Sequence, residues 1–194
     1  MAQAAETEVD AVRARLEKYV GKPMGPASVA PDPVNVPMIR HWVAALDDRN
    51  PIYLDEAFAK TTRHGGLVAP PAMLQVWGMP SPKIEGIAER GGSPVEISAD
   101  NVVRALDAEG FTGTLATNSE LEFVRYLRPG DHLHLSNVLE SVSTRKTTGL
   151  GQGYFVTWVT TYRTADGEVV GRQLFRIFKF DPRTIDLGKL KAPR

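Results

Sequence analysis

The apolar residues of the first part of the chain recur at helical steps. From Glu6 to Val20, positions Val9, Val12, Leu16, Tyr19 and Val20 return every three or four residues, which predicts an amphipathic helix closed by Gly21-Lys22-Pro23. The proline-rich stretch from Gly25 to Pro37 then predicts an extended connector. A second helix is expected over Pro37 to Leu46, with Met38, Ile39, Trp42, Val43 and Leu46 on one side. It runs directly into Asp47-Asp48-Arg49-Asn50-Pro51, and a residue before proline is pushed out of the helical region, so this segment leaves the helix as a turn. A short helix near Asp55 to Lys60 and a glycine-containing loop from Thr61 to Leu67 follow. Val68 to Trp77 reads as an extended entry into an apolar helix with Pro70 and Pro71 in its first turn, cut short by Pro80 and Pro82.

Lys83 to Gly113 shows no clean period and is expected to be an irregular insertion holding a short helix or strand. From Thr114 the pattern changes. Leu121 to Tyr126, His132 to Val142, Tyr154 to Arg163 and Val169 to Phe180 are rich in aromatic and β-branched residues and predict strands. Arg128-Pro129-Gly130-Asp131 and Ala165-Asp166-Gly167-Glu168 supply turn chemistry between neighbours. Helices first and an antiparallel run afterwards define an α+β layout. The expected organisation is an N-terminal helix and connector over 1–30, a main domain over 31–181 and a tail over 182–194.

Composition narrows the function without naming it. A chain of 194 residues, 42% hydrophobic and 24% charged, suits one core of ordinary globular character. Its 23 basic and 23 acidic residues cancel, so no global field draws it to nucleic acid or to an anionic membrane. There is no cysteine, hence no disulfide framework, thiolate nucleophile or thiolate metal site. The acidic N-terminus lacks the pattern of a secretory signal, and no segment approaches the roughly 18 continuous apolar residues of a membrane span. These features place the protein in the cytoplasm.

The order of a helix, Asp48-Arg49-Asn50-Pro51-Ile52 continued by Asp55, a proline-entered apolar helix and an antiparallel meander resembles the MaoC-like, R-specific enoyl-CoA hydratases. Leu121-Glu122-Phe123, Pro129-Gly130-Asp131 and Gly151-Gln152-Gly153 support the resemblance, which runs from about Asp32 to Phe180. Pro70-Pro71-Ala72 is similar to the MaoC-like domain that opens the larger subunit of actinobacterial steroid side-chain-degrading enoyl-CoA hydratases. The resemblance implies a hot-dog fold, a curved antiparallel sheet wrapped around a short central helix. It also implies a cofactor-free, metal-free addition of water to an enoyl thioester. Asp48 and Asn50 then occupy the family's aspartate and asparagine positions, and Tyr53 stands where the family has its catalytic histidine.

Adding water across a 2-enoyl thioester needs a base for the water, an acid for the α-carbon and donors for the enolate oxygen. A phenol titrates near about 10 against roughly 6.5 for imidazole, and the gap to neutral pH corresponds to about 4 kcal/mol, so Tyr53 is a poor base but a competent hydrogen-bond donor. Pro70 and Pro71 have no N–H, which makes Ala72 and Met73 the first oxyanion donors at the helix start. Lys146, beside Arg145 and the segment Thr147 to Gly153 with Gly151 in it, is the best local cation for coenzyme A phosphates. His41 reads as a helix-surface residue, His64 could face a pocket, and His132 with His134 share a strand face without a third metal ligand in view. The short central helix leaves room for a bulky ring system unless the insertion folds back into it. The expected function is one subunit of a 2-enoyl-CoA hydratase, acting on a steroid side-chain thioester. A second hot-dog subunit carries the complete aspartate and histidine in a heterodimer or heterotetramer. The alternatives are a self-sufficient homodimer using Tyr53, His64 or a water chain, and a non-enzymatic acyl-CoA-binding module.

Overall fold

The computed structural model describes residues 11–90 and 100–185. The start of the predicted N-terminal helix, part of the insertion and most of the tail lie outside the described residues. Within them, residues 11–17 are helical, here α1, and bury Val12 and Leu16. A two-residue strand, β1 (Ser28–Val29), interrupts the expected connector. The helix α2 (Val36–Ala45) follows, capped by Asn35, whose side chain accepts from the Met38 N–H. Its Ile39 and Val43 face the core. The short helix α3 (Glu56–Lys60) is capped in the same way by Asp55.

The expected central helix is present as a 3₁₀ segment, Pro71–Gly78. Its first bond runs from Met73 N to Pro70 O, three residues back, at 3.0 Å, the tighter pattern that a paired-proline entry starts. The described part of the insertion holds the short helix expected of it. It contains α4 (Val102–Ala108), whose cap Asn101 accepts from both Val103 and Arg104 N–H groups.

The strands β2 (Gly113–Phe123), β3 (His134–Val142), β4 (Lys146–Thr148), β5 (Gly151–Arg163) and β6 (Val169–Phe180) complete one sheet, ordered β1-β3-β5-β6-β2 with β4 beside β5. Every pairing is antiparallel. Three of the four predicted strands are present near their expected bounds, as β3, β5 and β6, while the first, expected over Leu121 to Tyr126, shares only residues 121–123 with β2 and ends there. β2 begins at Gly113, well before the apolar residues that advertise it, because its polar first half lies on an exposed edge. The turn between β5 and β6 needs a left-handed residue, which Gly167 supplies at φ 92°.

Directly paired residues share a face, so the register identifies what lies under the helices. On β5 the inner residues are Tyr154, Val156, Trp158, Thr160 and Tyr162. They pair with Val142, Leu139, Asn137 and Leu135 of β3, and with Lys179, Ile177, Phe175, Gln173 and Gly171 of β6. Two apolar clusters cover this face. One joins the central 3₁₀ segment (Met73, Leu74, Trp77) to Leu135, Tyr162 and α2. The other joins α1 and α4 (Leu16, Val102, Leu106) to Leu139, Tyr154, Val156 and Ile177. Of the two open expectations for the space beyond the central helix, the return of the insertion accounts for this second half. Lys179, fully buried, pins α4 there through Asp107 at 2.6 Å, Thr114 at 2.8 Å and the Thr112 carbonyl at 3.2 Å. Three acceptors are what make a buried ammonium tolerable.

Candidate active site

The loop from Asp48 to Tyr53 is built by turn chemistry. Asp47, in the left-handed region at φ 50°, ends α2 and turns the chain outward. Asp48 Oδ1 accepts from the Asn50 N–H at 3.0 Å, and Asn50 Oδ1 accepts from the Ile52 N–H at 3.2 Å. The second of these caps a 3₁₀ turn, Pro51–Tyr53, whose proline needs no donor. One carboxylate oxygen of Asp48 and the carboxamide oxygen of Asn50 are therefore engaged by their own backbone. Arg49 pairs with Asp47 at 2.9 Å, with both side chains more than three-quarters exposed. An open hollow of about 200 Å³ lies along the loop, lined by Arg40, Val43, Asp48 and Leu54 among others.

Tyr53 turns the other way, into the first apolar cluster, and is only 7% exposed. Burial raises its phenol above the ordinary value, and the neighbouring Tyr126 and Asp48 raise it further. A phenolate is thus less accessible here than in an open loop, and Tyr53 stays a neutral donor. Tyr126 carries the ring of His64, stacked at 4.9 Å between centroids and 21° between planes. Arg125 braces the segment that holds Tyr126 by donating to Asp131 at 2.7 Å and to Glu168 at 2.8 Å. The fold therefore gathers Asp48, Tyr53, Tyr126 and His64 at one end of the sheet. Tyr126 was not singled out from the sequence, where it is one aromatic among many in a predicted strand.

The oxyanion candidates separate on inspection. The Met73 N–H is taken up by Pro70 O, and Met73 itself is buried, so Met73 is withdrawn as an oxyanion donor. Ala72, exposed at the start of the same segment, is the donor to consider. The proposed coenzyme A cluster also changes character. Thr147 to Gly153 is a hairpin between β4 and β5 rather than a flexible loop. Gly151 is buried at φ 106° against Thr184 and the Asp181 carbonyl, so it is a packing position and not a ligand contact. Arg145 lies over the ring of Phe111 at 5.4 Å, whereas Lys146 is exposed. Along β5, Lys146 pairs with Gly153 while Tyr53 packs in the cluster of Tyr162. Nine residues of strand between Gly153 and Tyr162 correspond to about 30 Å, so the sequence-selected residues form two groups at opposite ends.

His41 is exposed on α2, as its helix-surface reading expects. His132 contacts the Ala30 carbonyl through Nε2 at 2.8 Å, and its ring lies 6.2 Å from that of His134. Among the described residues no group of three or more His, Cys, Asp or Glu side chains could hold a metal. Nor, among them, is any helix long and apolar enough to cross a membrane.

The fold and the loop define a hot-dog domain of MaoC-like type. The chain belongs to the family described as FAS1-like, dehydratase domain region, which matches residues 19–173. It is 45% identical over 178 residues to a protein of Thermomonospora curvata named probable enoyl-CoA hydratase alpha subunit, covering 91% of this chain and 54% of that protein. It is 40% identical over 163 residues to the 3-oxo-4,17-pregnadiene-20-carboxyl-CoA hydratase alpha subunit of Mycobacterium tuberculosis, covering 83% of this chain and 50% of that one. The chain thus spans about half the length of the curated relatives it matches. Among solved structures it superimposes on a chain of the ChsH1-ChsH2 complex from Mycobacterium tuberculosis with a TM-score of 0.70 at 37% identity, covering 91% of this chain and 93% of that one. A MaoC-like dehydratase from Rhodospirillum rubrum shares the fold at 20% identity and a TM-score of 0.54, covering 81% of this chain and 92% of that one.

Proposed function

We propose that this chain is one half of a cytoplasmic 2-enoyl-CoA hydratase whose complete aspartate and histidine pair lies on a second hot-dog subunit, in a heterodimer or heterotetramer. The observation that carries this reading is Tyr53: at the position where the family has its histidine, a buried phenol with a raised titration point provides no base at neutral pH. Asp48 and Asn50 serve the loop's own turns, which suits a structural inheritance. The partner's pair would deliver hydroxide to the β-carbon and a proton to the α-carbon, while the Ala72 N–H offers a donor to a thioester oxygen.

The strand β2 supports a place for that partner. It is an edge strand of 11 residues whose side chains are mostly exposed, and Leu115, Phe123 and Val124 stand exposed on or beside it. Among the described residues this edge has no further strand beside it, and a long edge with apolar residues is a template for another strand. The alpha-subunit names of the two relatives support a heteromer, and the name of the mycobacterial one supports a steroid side-chain thioester as substrate. No nucleic acid, membrane or cofactor enters this reading.

The test is hydration of an enoyl-CoA by the purified chain, alone and mixed with a hot-dog partner containing Asp-x-x-x-x-His. Turnover should require the partner, vanish when the partner's histidine is replaced, and change less than severalfold in Asp48→Ala. Turnover by the chain alone, abolished in Asp48→Ala, would instead establish the self-sufficient homodimer.

A further inference from the structure

Between the two apolar clusters the inner face of the sheet is crossed by a polar row. Asn137 of β3 pairs with Thr160 of β5, which pairs with Gln173 of β6. Thr160 and Gln173 are 5% and 6% exposed, in positions where their neighbours two residues away are Trp158, Tyr162 and Phe175. Buried polar groups persist in such a place only when hydrogen-bonded. Thr160 donates to Asn137 Oδ1 at 2.6 Å. Tyr162 donates to Gln173 Oε1 at 2.9 Å, and Gln173 Nε2 donates to Gln75 Oε1 at 2.7 Å and to Ser119 Oγ at 2.9 Å.

This connectivity fixes which groups the row offers outward. Burial raises the Tyr162 phenol, so it remains a protonated donor. The carboxamide oxygen of Gln173 accepts from Tyr162 and both its N–H bonds are used. Gln75 enters through its oxygen and so keeps its NH2 group for another acceptor. Ser119 enters as an acceptor and keeps its O–H. The two acceptors on this one NH2 group, Gln75 Oε1 and Ser119 Oγ, stand about 5 Å apart, which places both side chains side by side at the end of the row. The row is open on this side. Gln75, Trp158 and Phe175 are half-buried, Ser119 and Ala116 are exposed, and the indole and phenyl rings lie 5.1 Å apart. The opening faces the β2 edge.

Resting on the reading that this chain receives an acyl thioester, we propose that Gln75 and Ser119 bind a hydrogen-bond-accepting oxygen carried by the acyl tail. Gln173 positions them, and Trp158 and Phe175 pack against the tail's apolar body. The site selects an oxygen-bearing fused-ring or long apolar acyl group over its deoxygenated counterpart. Because the opening lies along the edge that would pair with a partner, a thioester held by the partner's acid/base pair could extend its tail across β2 into this chain.

The test uses two enoyl-CoA thioesters with the same fused-ring tail, one bearing a ring ketone and one without it. Tryptophan fluorescence follows their binding to the full chain. The ketone should bind on the order of tenfold tighter. Gln75→Glu keeps the bond from Gln173 but presents an acceptor in place of donors, and should bring the ketone's affinity down to that of the deoxo compound. Ser119→Ala, at an exposed position, should reduce the preference severalfold. Equal affinities in the unaltered chain, a preference that survives Gln75→Glu, or no binding of either thioester would overturn the inference. A ketone preference that depends on Gln75, together with no hydration in the presence of any hot-dog partner, would sustain the site and remove the hydratase reading.

Discussion

The loop at Asp48 and the row at Gln173 use the same kinds of side chain in opposite ways. Asp48 and Asn50 lie at the surface and bond to backbone groups two residues along the chain. Gln173 is buried and bonds to side chains 11, 54 and 98 residues away. The loop's carboxylate and carboxamide hold a turn together and could be lost with modest harm. The row's carboxamide joins two strands, the central 3₁₀ segment and a buried phenol, and losing it leaves several groups unpaired at once. The family's motif is therefore the more recognisable region and the row the more committed one.

That contrast can be broken by mutation. Gln173→Leu should have the largest effect, about 2–3 kcal/mol of destabilisation, because the Tyr162 hydroxyl loses its acceptor in a dry site. A drop in the urea midpoint at unchanged slope checks it, and an effect below that of the loop variants would reverse the comparison. Alkaline titration comes next. Tyr53 and Tyr162 both have folded-state values raised by burial, so the folded protein holds its protons longer than the unfolded chain. Stability should be full below about pH 10 and fall above it, by up to about 1.4 kcal/mol per pH unit for Tyr162, with Tyr53 adding to the fall in the same direction. Tyr53→Phe should flatten part of that fall, as seen in denaturation curves collected across the alkaline range.

Smaller effects belong to the loop. Asn50→Ala removes the cap of a single 3₁₀ turn and should cost about 1 kcal/mol, visible as a small shift in thermal midpoint. Arg49→Ala breaks an ion pair between two highly exposed side chains and should change stability by less than about 0.5 kcal/mol at moderate salt. A larger loss in Arg49→Ala would mean that the loop is packed against something, and a cross-linked or co-purified partner would then be the place to look.

Much of the fold is legible from local pattern. The helix at α2, its departure through Asp47 to Pro51, the strands β3, β5 and β6 and the end of β2 follow from period, caps and turn residues. The misses share a cause. β4 has three residues and β1 two, too short for any period to register, and both exist because a neighbouring strand offers them an edge. The short helix expected in the insertion has no stripe long enough to fix its bounds, and the place of α4 depends on Lys179, 72 residues beyond Asp107. Lys146 and Gly151 looked like a ligand loop because glycines and cations usually sit in one. In the fold they belong to a hairpin and to a close approach of the C-terminal turn.

The row did leave one trace. Along β6, Gly171, Phe175 and Ile177 alternate inward, and Gln173 shares their parity. A polar residue on the buried side of an alternating strand is a signal, but only once the side is known. The sequence by itself determined the family loop, the absence of a histidine at its end and the antiparallel character of the second half, since each rests on residues within a few positions of one another. Only the tertiary structure decided that Tyr53 is buried beside Tyr126, that Met73 has no free donor, and that Gln75, Ser119 and Gln173 meet. Those facts depend on register and on helix placement across the sheet, and strand pairing brings together residues whose separation along the chain carries no trace of the contact.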